Sequence, residues 1–131
     1  MILVDTSVWI DYFSGAENRP ADQLDHALAA ETVLIGDLIL LEILQGFDRE
    51  RDFQSAKDAL DPLDCVHLGT KNLAVKAAAH FRHLRSEGIT IRKTVDMLIA
   101  AWCMNHDIAL LHNDKDFARI ASKLPLYIYN G

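Results

Sequence analysis

The sequence predicts an α/β fold in three layers, with a central, mainly parallel sheet of about five strands flanked by helices. Three observations predict it. Five short apolar runs, mostly β-branched or aromatic, recur along the chain, and the segments between them carry helical periodicity. The chain also has 131 residues, 50% of them hydrophobic, which is enough for one core and implies a single domain over 1–131.

The runs are "ILV" at 2–4, "TVLI" at 32–35, "CVHL" at 65–68, "IALL" at 108–111 and "LYIY" at 126–129. Each is too short for a buried helix and fits a buried strand. Between them, 7–14 places Trp9, Ile10 and Phe13 on one side, and 21–30 repeats Leu24, Ala27 and Leu28. The aromatic group is expected in the core, although an exposed aromatic there would offer a docking point. Residues 38–45 and 49–60 form two further helices, divided at Gly46. Residues 71–86 align Leu73, Ala77, Phe81 and Leu84, and 95–105 align Leu98, Ile99, Trp102 and Cys103. Pro20 precedes a helix, whereas Pro62 and Pro125 precede strands.

No apolar run approaches the ~20 residues of a membrane span, and no basic segment leads the N-terminal apolar residues. A cytoplasmic chain is therefore expected. Cys65 and Cys103 lack the paired spacing of zinc sites and are expected as reduced thiols. The formal net charge of -6 opposes approach to nucleic acid at long range. Locally the balance reverses: residues 80–93 hold Arg82, Arg85, Arg92, Lys93, His80 and His83 against the single acid Glu87. That segment is either a solvated helix face or an edge that contacts phosphates.

The acidic residues carry the chemistry. Open α/β sheets bind ligands at the carboxyl ends of their strands, where strand order reverses. Asp5 directly follows the first strand and Asp114 follows the fourth by a short turn, so the two are neighbours if those strands pair. Asp96 falls in the first turn of a helix if Thr94 caps it, and Glu42 stands in the apolar stretch "LILLEILQG". Asp5, Asp114 and Asp116 also suit helix caps, and Asp96 suits a helix dipole. Glu42 has no such explanation. If these carboxylates converge they repel one another, and a cation relieves the repulsion. Oxygen donors without His or Cys at fixed spacing favour Mg²⁺ or Mn²⁺ over zinc.

The stretches "ILVDTSVWIDYF", "LLEILQG", "RKTVDMLIAAWC" and "LLHNDKDF", in this order and spanning nearly the whole chain, resemble the four motifs of PIN-domain ribonucleases, in particular VapC-type toxins of bacterial toxin–antitoxin systems. The resemblance implies a Mg²⁺- or Mn²⁺-dependent endoribonuclease with Asp5, Glu42, Asp96 and Asp114 as its acidic, metal-binding tetrad. It also implies a tRNA, rRNA or mRNA substrate, a VapB-type antitoxin partner, and a homodimer. Thr6 is then a donor that positions an acidic neighbour, and Asp116 either assists the tetrad or caps a helix. The antitoxin groove is expected along the first helices, including Trp9 or Phe13.

Other readings are weaker. A haloacid-dehalogenase-like phosphatase needs a second Asp where Ser7 stands, and a receiver domain needs an Asp after the third strand, where Gly69 follows Leu68. A catalytically silent PIN-like module that binds RNA or protein is the remaining alternative.

Overall fold

Eleven elements follow one another along residues 1–131, all of which the computed structural model describes. Strand β1 (Ile2–Val4) is buried at every residue, as expected for an apolar run with no polar alternation. It pairs in parallel with β2 (Val33–Gly36) on one side and with β4 (Ala109–Leu111) on the other. The short β3 (Cys65–Val66) adds to β2, which gives the order β3-β2-β1-β4. The chain leaves β1 towards β2 and β3, then returns to the opposite side of β1 for β4. The strand order therefore reverses between β1 and β4, where such sheets bind ligands.

Seven helices flank the sheet. They are α1 (Thr6–Ser14), α2 (Arg19–Ala30), α3 (Asp37–Gln45), α4 (Glu50–Leu60), α5 (Lys71–Ser86), α6 (Thr94–His106) and α7 (Lys115–Ala121). Helix α6 is buried from Met97 through Cys103 except at Leu98, as befits a helix that is apolar on nearly all sides. A core of 29 buried residues joins the strands to these helices. No helix is long and apolar enough to cross a membrane, and both cysteines are free.

Four strands form where about five were expected. Residues 126–129 contribute only an isolated parallel bridge, Leu110 to Ile128, held by Leu110 N to Tyr127 O and Tyr129 N to Leu110 O, each 2.9 Å. Two local features stop the ladder from extending: Pro125 has no N–H, and the Leu126 N–H is turned onto Leu124 O at 2.8 Å. Strand β3 is likewise shorter than 65–68, because the Leu68 N–H donates to the Asp37 carboxylate at 2.8 Å rather than to a strand.

Two side-chain expectations change as well. Thr94 is the first residue of α6 rather than its cap; Lys93 holds the cap position and makes no side-chain cap bond. On α1, Trp9 is buried and stacks on Phe13, but Ile10 is 52% exposed, and Val8 takes the core position instead. Gly36 is required for close approach. A Cβ there would lie 2.5 Å from Cδ1 of the fully buried Leu68.

Candidate active site

The strand arrangement brings Asp5 and Asp114 to the same end of two adjacent strands. Asp5 follows β1, its N–H donating to Leu111 O at 2.9 Å, and Asp114 lies just past β4. Each begins a helix. Asp5 Oδ2 accepts from Ser7 N at 3.2 Å and caps α1, and Asp114 Oδ1 accepts from Asp116 N at 2.9 Å and caps α7. The capping explanation and the clustering are thus both correct for these two residues. Asp96 enters from the first turn of α6, and Glu42 from the middle of α3.

All four carboxylates open onto one recess of about 160 Å³, shared with Thr6, Ser7, Ile10 and Lys93. No three of them stand at the spacing of a ready-made metal cage. Three of the carboxylates, Asp5, Glu42 and Asp114, are turned onto donors of the protein. Asp5 Oδ2 also accepts from Ser7 Oγ at 2.6 Å, and Glu42 Oε1 accepts from Thr6 Oγ1 at 2.7 Å. Asp96 differs: its Oδ2 is buried with no hydrogen-bond partner. A buried carboxylate oxygen without a donor is costly and calls for a positive partner.

The electrostatics point the same way. Burial pushes the Asp96 carboxyl up to about 7, and the neighbouring charges of Asp5 and Asp114, with Asp116, add to the rise while Lys93 opposes it. Burial also raises Asp5, against the lowering effect of its Ser7 and Thr6 hydrogen bonds, and Glu42 raises it further. These are the signs of a desolvated group of like charges. The His112 imidazole, packed on the Phe117 ring, is pushed down by burial despite Asp5 and Asp114 nearby. Burial pushes the Cys103 thiol up to about 12, so it is no thiolate ligand, and the donors at the recess are all oxygens.

The remaining sequence expectations sort as follows. Asp116 is buried but is not a cap: it pairs with Arg119 Nη1 at 3.1 Å and faces Arg92 Nε at 3.6 Å. Arg92 therefore points to a carboxylate of its own chain, whereas Arg82 and Arg85 are exposed, with Arg85 over the Phe81 ring. Trp9 is too buried to line a groove. Phe13 and Phe47, 6.2 Å apart between ring centroids, instead line the apolar channel that runs from α1 across α3 to Glu42. Ser7 and Arg119 escaped the sequence reading, and Lys93 entered it only as part of the basic segment. Ser7 holds Asp5 and accepts from Asn113 N at 3.2 Å, Lys93 puts a cation at the recess, and Arg119 neutralises Asp116. Ser7 carried a signal in its place two residues after a capping Asp, and Lys93 in the local basic excess, whereas Arg119 carried none.

Residues 2–123 match the model of the PIN domain family. The chain is 31% identical to Ribonuclease VapC11 of Mycobacterium tuberculosis over 123 residues, 92% of each chain. Among solved structures, a toxin–antitoxin complex from Klebsiella pneumoniae is similar at 26% identity and a TM-score of 0.70, covering 98% of this chain and 100% of the other. VapBC2 from Rickettsia felis, bound to a DNA fragment from its promoter, has the same fold at 21% identity and a TM-score of 0.75, covering 98% of each chain.

Proposed function

This chain belongs to the PIN domain family, and on that premise we propose that it is a divalent-metal-dependent endoribonuclease of the VapC type, neutralised by a VapB-type antitoxin. One observation carries the proposal. Four carboxylates from four separate elements share a recess in which Asp96 is raised to about 7 and keeps a buried oxygen without a partner. Such an arrangement suits a hard cation, which needs only a few carboxylates and retains waters for a phosphate substrate.

Asp5, Asp96 and Asp114 would hold Mg²⁺ or Mn²⁺, with Glu42 completing the pocket. When bound, the metal supplies charge neutralisation at the phosphodiester and acidifies a coordinated water. The protein's own residues prepare for that chemistry. Ser7 fixes the Asp5 carboxylate through its N–H and hydroxyl, and Thr6 fixes Glu42 from the adjacent position. Glu42, so held and half-buried, would orient the attacking water. Lys93 at the edge of the recess offsets charge on the phosphate oxygens. No side-chain nucleophile would be needed, since water would form the new P–O bond as the bond to the leaving oxygen breaks, and the proton lost by the water balances the one the leaving oxygen gains.

The channel lined by Phe13 and Phe47, with Ile10 exposed beside it, is where an apolar antitoxin helix would seat, ending near Glu42. The chain is further proposed to act as a homodimer, an expectation that rests on likeness. Cleavage of a mixed RNA pool in Mn²⁺, with and without EDTA, tests the reading. The wild type should cut only with metal, and Asp5→Asn, which keeps a good helix cap, should fold and not cut. Cutting that survives EDTA would refute the metal dependence, and no cutting by the wild type would leave only a silent binding module.

A further inference from the structure

We propose that Asp11 and Asn113 form a clamp that sets the Asp5 and Asp114 carboxylates relative to each other, and so are positioning residues of the recess. This rests on the metal-dependent reading above and adds what holds its two strand-end carboxylates in register.

Asp5 leaves β1 on a backbone bond, its N–H donating to Leu111 O. Asp114 is tied differently. Beyond β4 the turn at 112–114 is held by side chains: the Asp114 N–H donates to His112 Nδ1 and the Asn113 N–H to Ser7 Oγ, each at 3.2 Å. The Ser7 hydroxyl in turn donates to Asp5 Oδ2 at 2.6 Å. A two-step relay thus runs from the turn that carries one carboxylate to the other carboxylate, and each bond in it polarises the next.

One helical turn beyond Ser7, Asp11 lies on the same face of α1. Its Oδ2 accepts from Asn113 Nδ2 and from Asn18 Nδ2, each at 3.0 Å. A carboxylate only accepts, so both amides turn their NH2 groups to it, and the bonds are charge-assisted. Asn113 is therefore gripped twice by α1, through its N–H at Ser7 and through its side chain at Asp11. Both ends of the grip bear on the recess: Asp5 caps α1, and Asp114, the residue after Asn113, caps α7. Asn18 braces Asp11 from the other side, since its Oδ1 is fixed by Ala21 N at 2.9 Å as the cap of α2.

The test reads Mn²⁺ affinity by calorimetry and amide exchange of the metal-free protein, neither of which needs RNA. Asp11→Ala and Asn113→Ala should each weaken Mn²⁺ binding by about tenfold, at the low end for outer partners of metal ligands because these bonds lie at or near the surface. The double variant should be no weaker than the single ones, since both remove one contact. Asp11→Asn keeps an acceptor oxygen and should recover most of the loss, which a through-space charge effect would not allow. The Asn113 N–H should exchange about tenfold faster in metal-free Asp11→Ala than in the wild type. RNA cleavage should need more Mn²⁺ in both alanine variants, with KM for RNA unchanged. Undiminished Mn²⁺ affinity in Asn113→Ala would overturn the clamp and leave Asp11 only the α1–α2 connection to hold; cleavage by the wild type would still support the ribonuclease reading. Asp11→Asn as weak as Asp11→Ala would also overturn it, as would a raised KM for RNA with unaltered Mn²⁺ affinity. A wild type that takes up Mn²⁺ without cutting RNA sinks the ribonuclease reading alone, and the variants' Mn²⁺ affinities still decide the clamp. One that does neither sinks both.

Discussion

Replacing Asp96 with Asn should stabilise the metal-free protein, and by an amount that depends on pH. Asp96 is 5% exposed, its Oδ2 has no partner, and its carboxyl is raised from an ordinary 3.8 to about 7. A folded pKa above the unfolded one means that the folded state resists ionisation. Stability is therefore full below about pH 3.8 and is lost as pH rises towards about pH 7. The difference between 3.8 and about 7, at about 1.36 kcal/mol per pH unit, corresponds to a loss of about 4 kcal/mol above pH 7. Asn carries no charge and escapes that loss. Urea unfolding in EDTA should find Asp96→Asn more stable than the wild type by up to about 4 kcal/mol near pH 8, shrinking to under about 1 kcal/mol near pH 4. A difference that does not vary with pH would refute the reasoning, as would a variant less stable than the wild type near pH 8. Saturating Mg²⁺ should reverse the ranking near pH 8, because only the wild type keeps the full ligand set.

Two more changes probe the fold and the partner surface. Gly36→Ala should destabilise by about 1–3 kcal/mol in urea unfolding, since its Cβ would meet buried Leu68 Cδ1 at 2.5 Å; a neutral result would mean that this part of the core repacks freely. Paired Phe13→Ala and Phe47→Ala should weaken the complex with the proposed VapB-type antitoxin, measured by co-purification and titration, while metal-dependent RNA cleavage persists. An intact complex would place the antitoxin elsewhere.

The elements most legible in the sequence were those decided by local pattern. Unbroken apolar runs at 2–4 and 108–111 fit buried strands, and the capping chemistry of Asp5 and Asp114 set where the following helices begin. Less legible were features that depend on what approaches from elsewhere in the chain. The Asp37 carboxylate takes the Leu68 N–H and cuts β3 short, and the turn at Pro125 reduces a fifth strand to one bridge. Glu42 illustrates both sides. Its apolar neighbours suggested a buried charge, but Leu41 beside it is 57% exposed and Glu42 itself only half-buried. Helix geometry, not the local window, decides which neighbours share its face. What set it apart was its lack of a capping role, and the structure gives it Thr6 and the recess. Arg119 could not be singled out, and Lys93 stood out only within the basic segment, because exposed cations in loops and last turns look alike until the fold shows which carboxylate each one faces.

The central claim is that Asp5, Glu42, Asp96 and Asp114 form one anionic recess that takes up a divalent ion, and Mn²⁺ titration followed by calorimetry and paramagnetic resonance tests it most directly. Wild-type protein should bind Mn²⁺ with proton release near pH 7, reflecting the raised Asp96, and Asp5→Asn, Asp96→Asn and Asp114→Asn should each weaken that binding strongly. Undiminished Mn²⁺ binding by these three variants would contradict the account.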